Sequence, residues 1–226
     1  MSRTVLLLLA LTAAPGYAQV VLYDSGASGG FAASDFTIYG SAGNVAFGAT
    51  IALDGQFSDH PNYVSAELGR GLGWTGPIAC EFDYAFCCEP PEVPDFTLIM
   101  GLSTPTSWTG SCWLLGGDWL LGASTAVDVA CTWPDPDFSR LPVQVGYRIL
   151  EDAASESIRF EVTGVTGAEP CLLPLREGNR AQDEQWLDFY LESCFPVEIT
   201  RIRIVGMEGT AAAQAISWSA AQATYR

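Results

Sequence analysis

Seven tryptophans and twenty-six acidic side chains, set against ten arginines, one histidine and no lysine, are the groups in this 226-residue chain with the most chemical reach. A sugar presents flat C–H faces that stack on aromatic rings, and its hydroxyls bond to carboxylates, so loop tryptophans beside acids suit glycan capture. Trp74, Trp108 and Trp133 fall in Gly-, Pro- or Ser-rich stretches and are the candidate stacking platforms. In Trp133-Pro134-Asp135-Pro136-Asp137 two carboxylates sit next to one of them. Asp135 and Asp137 also admit calcium, a hard cation that collects oxygen ligands from extracellular loops. Glu89, Glu92 and Asp95 make a second acidic loop, but no Asp-x-Asp-x-Asp-Gly pattern occurs. The expectation is no cofactor, with calcium as the alternative.

Other chemistries are poorly provided for. Without lysine there is no P-loop lysine and no Schiff base. Gly26-Ala27-Ser28-Gly29-Gly30 has the letters of a nucleophile elbow, yet a helix must follow the serine and a base must take its proton. The stretch from Phe31 reads as loop and strand, and the sole base is His60, in the turn-like Ser58-Asp59-His60-Pro61-Asn62. A formal charge of −16 repels a phosphate backbone, which excludes nucleic acid as a partner.

Residues 1–18 read as a signal peptide: Arg3 is the positive region, Val5 to Leu11 the apolar run, and Gly16-Tyr17-Ala18 the small-x-small cleavage site. The run is too short to span a bilayer, so no membrane span is expected and the mature chain is secreted or periplasmic. In an oxidising compartment Cys80, Cys87, Cys88, Cys112, Cys131, Cys171 and Cys194 are read as disulfide formers with one thiol left over. Connectivity stays open. Turn signals between them favour Cys112 with Cys131 and Cys171 with Cys194, leaving Cys80 for Cys87 or Cys88. Zinc is disfavoured because no Cys-x-x-Cys spacing occurs.

The elements that must position these groups are strands. Phe82, Tyr84 and Phe86 alternate with Glu81, Asp83 and Ala85, and Val143, Val145, Tyr147 and Ile149 alternate with Gln144, Gly146 and Arg148. Ile158 to Thr163 and Leu187 to Glu192 repeat the pattern, and Thr97 to Leu102 is a continuous apolar run suited to an inner strand. Further strands are expected at Val20 to Tyr23, Phe36 to Tyr39, Val45 to Leu53, Tyr63 to Leu68, Trp113 to Leu121, Val127 to Thr132 and Ile199 to Val205. Ala211 to Tyr225 is read as a closing strand from Ile216, Trp218 and Ala220 at period two. Turn residues separate the runs, and residues 19–226 are read as one all-β domain, an antiparallel jelly-roll β-sandwich held by disulfides.

The order of segments resembles the concanavalin A-like and laminin G-like sandwich superfamily. It is carried by Ile78-Ala79-Cys80-Glu81-Phe82-Asp83-Tyr84, Phe96-Thr97-Leu98-Ile99-Met100-Gly101-Leu102, Val145-Gly146-Tyr147-Arg148-Ile149, Arg159-Phe160-Glu161-Val162-Thr163-Gly164 and Ile202-Arg203-Ile204-Val205-Gly206. The resemblance implies that Glu81 and Asp83 are similar to the first two acids of the Glu-x-Asp-x-x-Glu strand of glucan-cleaving relatives. The third acid of that set is replaced by Phe86, and a retaining mechanism needs two carboxyls about 5 Å apart. Recognition of a carbohydrate or cell-surface ligand without catalysis is therefore the leading expectation. A divergent glycoside hydrolase or lyase using Glu81 or Asp83 stands second, and a structural envelope or matrix protein third.

Overall fold

The computed structural model describes residues 18–39, 42–54, 66–86, 97–104, 107–115, 120–125, 130–134, 136–137, 142–152, 157–174, 186–192 and 197–208. In chain order the strands are β1 (Ala18–Asp24), β2 (Thr37–Ile38), β3 (Val45–Phe47), β4 (Ile51–Leu53), β5 (Ala66–Gly71), β6 (Ile78–Phe86), β7 (Thr97–Thr104) and β8 (Ser107–Leu115). There follow β9 (Leu120–Thr125), β10 (Ala130–Trp133), β11 (Val143–Asp152), β12 (Ser157–Thr163), β13 (Cys171–Pro174), β14 (Trp186–Glu192) and β15 (Val197–Glu208). All pair antiparallel, in an eight-stranded sheet ordered β13-β12-β11-β6-β15-β4-β3 with β1 on β15, and a seven-stranded sheet ordered β10-β9-β8-β7-β14-β5-β2.

Alternation fills the space between the sheets. Phe82, Tyr84 and Phe86 of β6, Tyr147 of β11 and Phe160 of β12 are fully buried from one side, and Leu98, Met100, Leu187 and Phe189 from the other. Phe82 and Phe189 meet edge to face across the layer, their ring centres 6.0 Å apart. Burying such a side chain contributes roughly 2 kcal/mol, so this aromatic seam is what locks one sheet onto the other.

Several elements differ from expectation. Val45 to Leu53 is a tight hairpin of β3 and β4, because Gly48, Ala49 and Thr50 bend between them. Trp113 to Leu121 divides between β8 and β9, with 116–119 outside the described residues, and of the expected run from Tyr63 to Leu68 residues 66–68 lie in β5 while 63–65 lie outside the described residues. The four-residue α1 (Ser25–Ser28), capped by the Asp24 carboxylate on the Gly26 and Ala27 N–H groups, and the edge strand β13 are not legible in the pattern. Residues 1–17, His60, Glu89, Glu92, Asp95, Asp135, Cys87, Cys88, Cys194 and the expected closing strand at Ala211 to Tyr225 lie outside the described residues. Among the described residues no helix is long and apolar enough to cross a membrane.

The cysteine pairing is a correction. Cys131 of β10 is bonded to Cys171 of β13, 40 residues away, with Cα atoms 6.4 Å apart, joining an edge strand of each sheet. Cys112 does not reach Cys131, since both register on Ala123 from opposite sides and so stand two strands apart. At about 4.8 Å per strand that gap exceeds the reach of a disulfide. Cys171 is thereby unavailable to Cys194. Cys80 and Cys112 are free, fully buried thiols that behave as small apolar core residues, and burial pushes both well above the ordinary thiol range.

Candidate ligand-binding face

The acids singled out on β6 lie on the outer side of the eight-stranded sheet. Glu81 is only 3% exposed, and its carboxylate accepts from the Arg148 guanidinium at 2.6 Å and faces Arg201 at 3.7 Å. Those arginines come from the neighbouring strands: Arg148 registers on Glu81 from β11 and Arg201 on Asp83 from β15. Asp83 is half-buried over Gly146, where a Cβ would collide with its Oδ1 and with Thr163 Oγ1. Burial first, then the charge of Glu81, raises the Asp83 pKa against the opposing pull of Arg148 and Arg201. Glu81 is thus held by ion pairs in a closed lattice, and a carboxylate so held is poorly placed to attack or protonate a glycosidic bond.

The loop tryptophans divide. Trp133 is 7% exposed, packs within 6.0 Å of the Tyr147 ring and donates its indole N–H to the Glu169 carbonyl at 2.7 Å. It is a core ring with no free face for a sugar, contrary to its expected role as a platform. Trp74 is half-buried, donates to the Pro77 carbonyl at 3.1 Å and lies against Gly206, where a Cβ would stand 2.6 Å from the ring. One side of its ring is thus packed on β15. Trp108 is placed by register opposite Ser103. Asp137 is exposed, its expected calcium partner Asp135 lies outside the described residues, and among the described residues no three potential metal ligands gather. The Ser28 hydroxyl donates to the Gly30 carbonyl at 2.7 Å, with the Ser25 carbonyl at 3.2 Å as a second acceptor, so its proton is directed at the backbone of the Gly-rich turn.

A different constellation lies on the outer side of the seven-stranded sheet. Register places Gly69, Asp188, Gly101, Ser111 and Ser124 in one row across β5, β14, β7, β8 and β9. A parallel row runs Glu67, Tyr190, Ile99, Trp113 and Gly122, and on the other side Gly71, Trp186, Ser103 and Trp108. Small residues therefore flank Asp188, while larger ones border the row. Asp188 is half-buried and its Oδ2 accepts the Ser103 hydroxyl at 2.5 Å. Burial raises its pKa, partly offset by that hydrogen bond.

Tyr39 leans over the same spot from the end of β2. Its N–H donates to the Glu67 carbonyl at 2.9 Å, and its side chain is 51% exposed. A Cβ on Gly69 would stand 2.5 Å from Asp188 Oδ1 and 2.9 Å from Tyr39 Cε2, so glycine is what lets ring and carboxylate meet. Partial burial, then Asp188 and Glu67, raise the Tyr39 phenol. The sequence shows Asp188 and Tyr190 alternating with core residues, but only the register reveals their glycine neighbours.

Among the described residues, arginine is unevenly divided between the two outer faces. Of the described arginines, Arg148, Arg159, Arg201 and Arg203 lie on strands of the eight-stranded sheet, where they meet Glu81, Glu161 and Asp24. Arg70 turns inward at the sandwich edge, with its guanidinium 4.4 Å above the Tyr23 ring and a hydrogen bond to the Asp35 carbonyl. The described outward side chains of the seven-stranded sheet include Glu67 and Asp188 and no arginine.

No family model matches the chain, and no curated protein matches it. Solved structures do. Lectin I from Ulex europaeus, in complex with the methyl glycoside of α-L-fucose, superposes with a TM-score of 0.60 at 10% identity, covering 84% of this chain and 98% of that one. Basic winged bean lectin with Tn-antigen gives 0.60 at 7%, over 85% and 100%. The fold is that of the concanavalin A-like jelly rolls. The CBM2 module of the evolved Dit of Lactobacillus casei BL23 phage J-1 is similar too, with a TM-score of 0.59 at 8% identity over 86% and 98%. Within this concanavalin A-like sandwich, Glu81 and Asp83 occupy the sheet that carries β1 and β15, and the Tyr39–Asp188 cluster occupies the other.

Proposed function

We propose that the chain is an exported, non-catalytic carbohydrate-binding sandwich, with residues 1–18 as its signal and residues 19–226 as the mature domain. The ligand lies on the outer face of the seven-stranded sheet. The observation that carries this reading is the exposed Tyr39 ring beside the Asp188–Ser103 pair, in a gap that Gly69 keeps open. A ring face for sugar C–H groups next to a fixed acceptor for hydroxyls is the minimum of a sugar subsite. Trp186 and the register position of Trp108 extend the same border, which keeps Trp108 among the binding residues. Sugar-bound lectins of the same fold support the reading.

A glycan array followed by calorimetry tests it. Tyr39→Ala and Asp188→Asn should each weaken binding to the best oligosaccharide at least tenfold, and Trp133→Ala should act through stability alone. Binding that ignores both substitutions on the face, or no saccharide bound at all, overturns the proposal. Size-dependent self-association without sugar would instead favour the matrix-protein alternative.

A further inference from the structure

Resting on that reading of the face, we infer that its preferred ligand is a glycan carrying a free amino group, with the ammonium seated between Asp188, Glu67 and the Tyr39 ring. Three observations converge there. Asp188 Oδ2 takes the Ser103 hydroxyl, and among the described residues no donor reaches Oδ1, which projects over Gly69 toward Tyr39. A half-buried carboxylate oxygen without a donor is completed by an N–H, and most strongly by a charged one. The Tyr39 ring, half-exposed beside it, offers the electron-rich face that an ammonium prefers. Glu67, bonded through its carbonyl to Tyr39 N–H, adds a second negative charge to the same corner.

The placement of arginine strengthens the assignment. Four of the described arginines stand on the opposite sheet and the fifth is turned inward on Tyr23, so no described cation competes for Asp188. Among the described residues, a uronic acid or sulfated sugar would meet two carboxylates and no counter-charge on this face. A neutral sugar would leave the Asp188 charge uncompensated. An amino sugar answers both, and its pyranose ring still stacks on the bordering aromatics.

The amine could also come from a polyamine, so the test separates the two sources. Titrations of glucosamine tetramer, N-acetylglucosamine tetramer, a glucose tetramer, a glucuronate tetramer and spermidine are run on the wild type, Asp188→Asn, Glu67→Gln and Asp54→Asn. Asp54 is an exposed acid just after β4 whose neutralisation removes the same single negative charge, away from the face. The inference expects glucosamine tetramer to bind at least tenfold tighter than its acetylated and neutral counterparts. Asp188→Asn should erase that preference, Glu67→Gln should reduce it severalfold, and Asp54→Asn should leave it intact. Equal loss in Asp54→Asn would mean that the whole-molecule field does the work, and would overturn the inference. Equal or tighter binding of the neutral, acetylated or uronate oligomers would also overturn it while the sugar reading stands. Spermidine matching the glucosamine tetramer, with no other saccharide bound, would overturn the amino-sugar assignment. Absence of binding by every oligomer would sink the sugar reading itself. Circular dichroism of each variant separates lost contacts from lost folding, and Tyr39→Leu provides a second route to losing the preference.

Discussion

Replacing Cys131 and Cys171 together by serine should cost this protein more than any single surface change, and the size follows from where the bridge lies. It closes a loop of 40 residues and ties two four-residue edge strands, β10 and β13, that are otherwise held by one neighbour each. In the chain-entropy account a loop of that length raises the unfolded state by about 4 kcal/mol at 25 °C. For a domain of this size 1 kcal/mol moves the midpoint by roughly 2–4 °C, so the double variant should melt about 8–16 °C below the oxidised wild type. The assay is a thermal melt by circular dichroism with and without dithiothreitol. Wild type should fall toward the double variant on reduction, and the double variant should not respond. Cys112→Ala supplies the contrast, because its thiol is free and buried in the core: it should lose stability through packing yet keep the full response to dithiothreitol. A double variant that melts within about 2 °C of wild type, or a Cys112→Ala protein blind to reductant, would refute the pairing and the register argument behind it.

Three further outcomes are expected. Glu81→Gln leaves Arg148 without its carboxylate in a nearly closed site, which should cost about 3 kcal/mol in urea denaturation and leave sugar binding unchanged; lost binding with unchanged stability would contradict the structural role. Asp83 has a raised pKa, so the folded state binds its proton more tightly than the unfolded chain does. Its favourable contribution is then present below the ordinary carboxylate range and lost as pH rises through the raised value. Asp83→Asn should accordingly raise the urea midpoint at pH 7 more than at pH 4, and an equal or opposite change would overturn the argument. Gly206→Ala drives a Cβ into the Trp74 ring, with an expected cost of about 1–3 kcal/mol and a shift in tryptophan emission.

The layer structure was legible because alternation is local: Phe82, Tyr84 and Phe86 announce an inward face in five residues, and that face is fully buried. What escaped is what depends on partners distant in the chain. Asp188 looks like any outward acid until register sets Gly69 on one side and Gly101 on the other, from strands some 120 and 90 residues earlier. Trp133 sits in a loop-like string of prolines and acids, yet the bridge at Cys131 draws its strand over the core edge. The acids of β6 were visible as a pair, but the arginines that confine them come from β11 and β15. Hydrophobic period thus fixed faces, and only tertiary register could say which faces share a neighbourhood.

The placement of β1 bears on how the chain is made. Among the described residues it pairs with β15 alone, Gln19 with Met207 and Asp24 with Arg203, so this partner is synthesised roughly 180 residues after it. β6, at the middle of that sheet, waits for the same strand on one flank. Closing a loop of such length costs about 2.5 kcal/mol more than closing a ten-residue hairpin, and nothing repays it until β15 emerges. The opening strand must therefore be kept from false partners for nearly the whole of translation, which makes the uncharged run Gln19-Val20-Val21-Leu22 a natural point for a holding chaperone to grip.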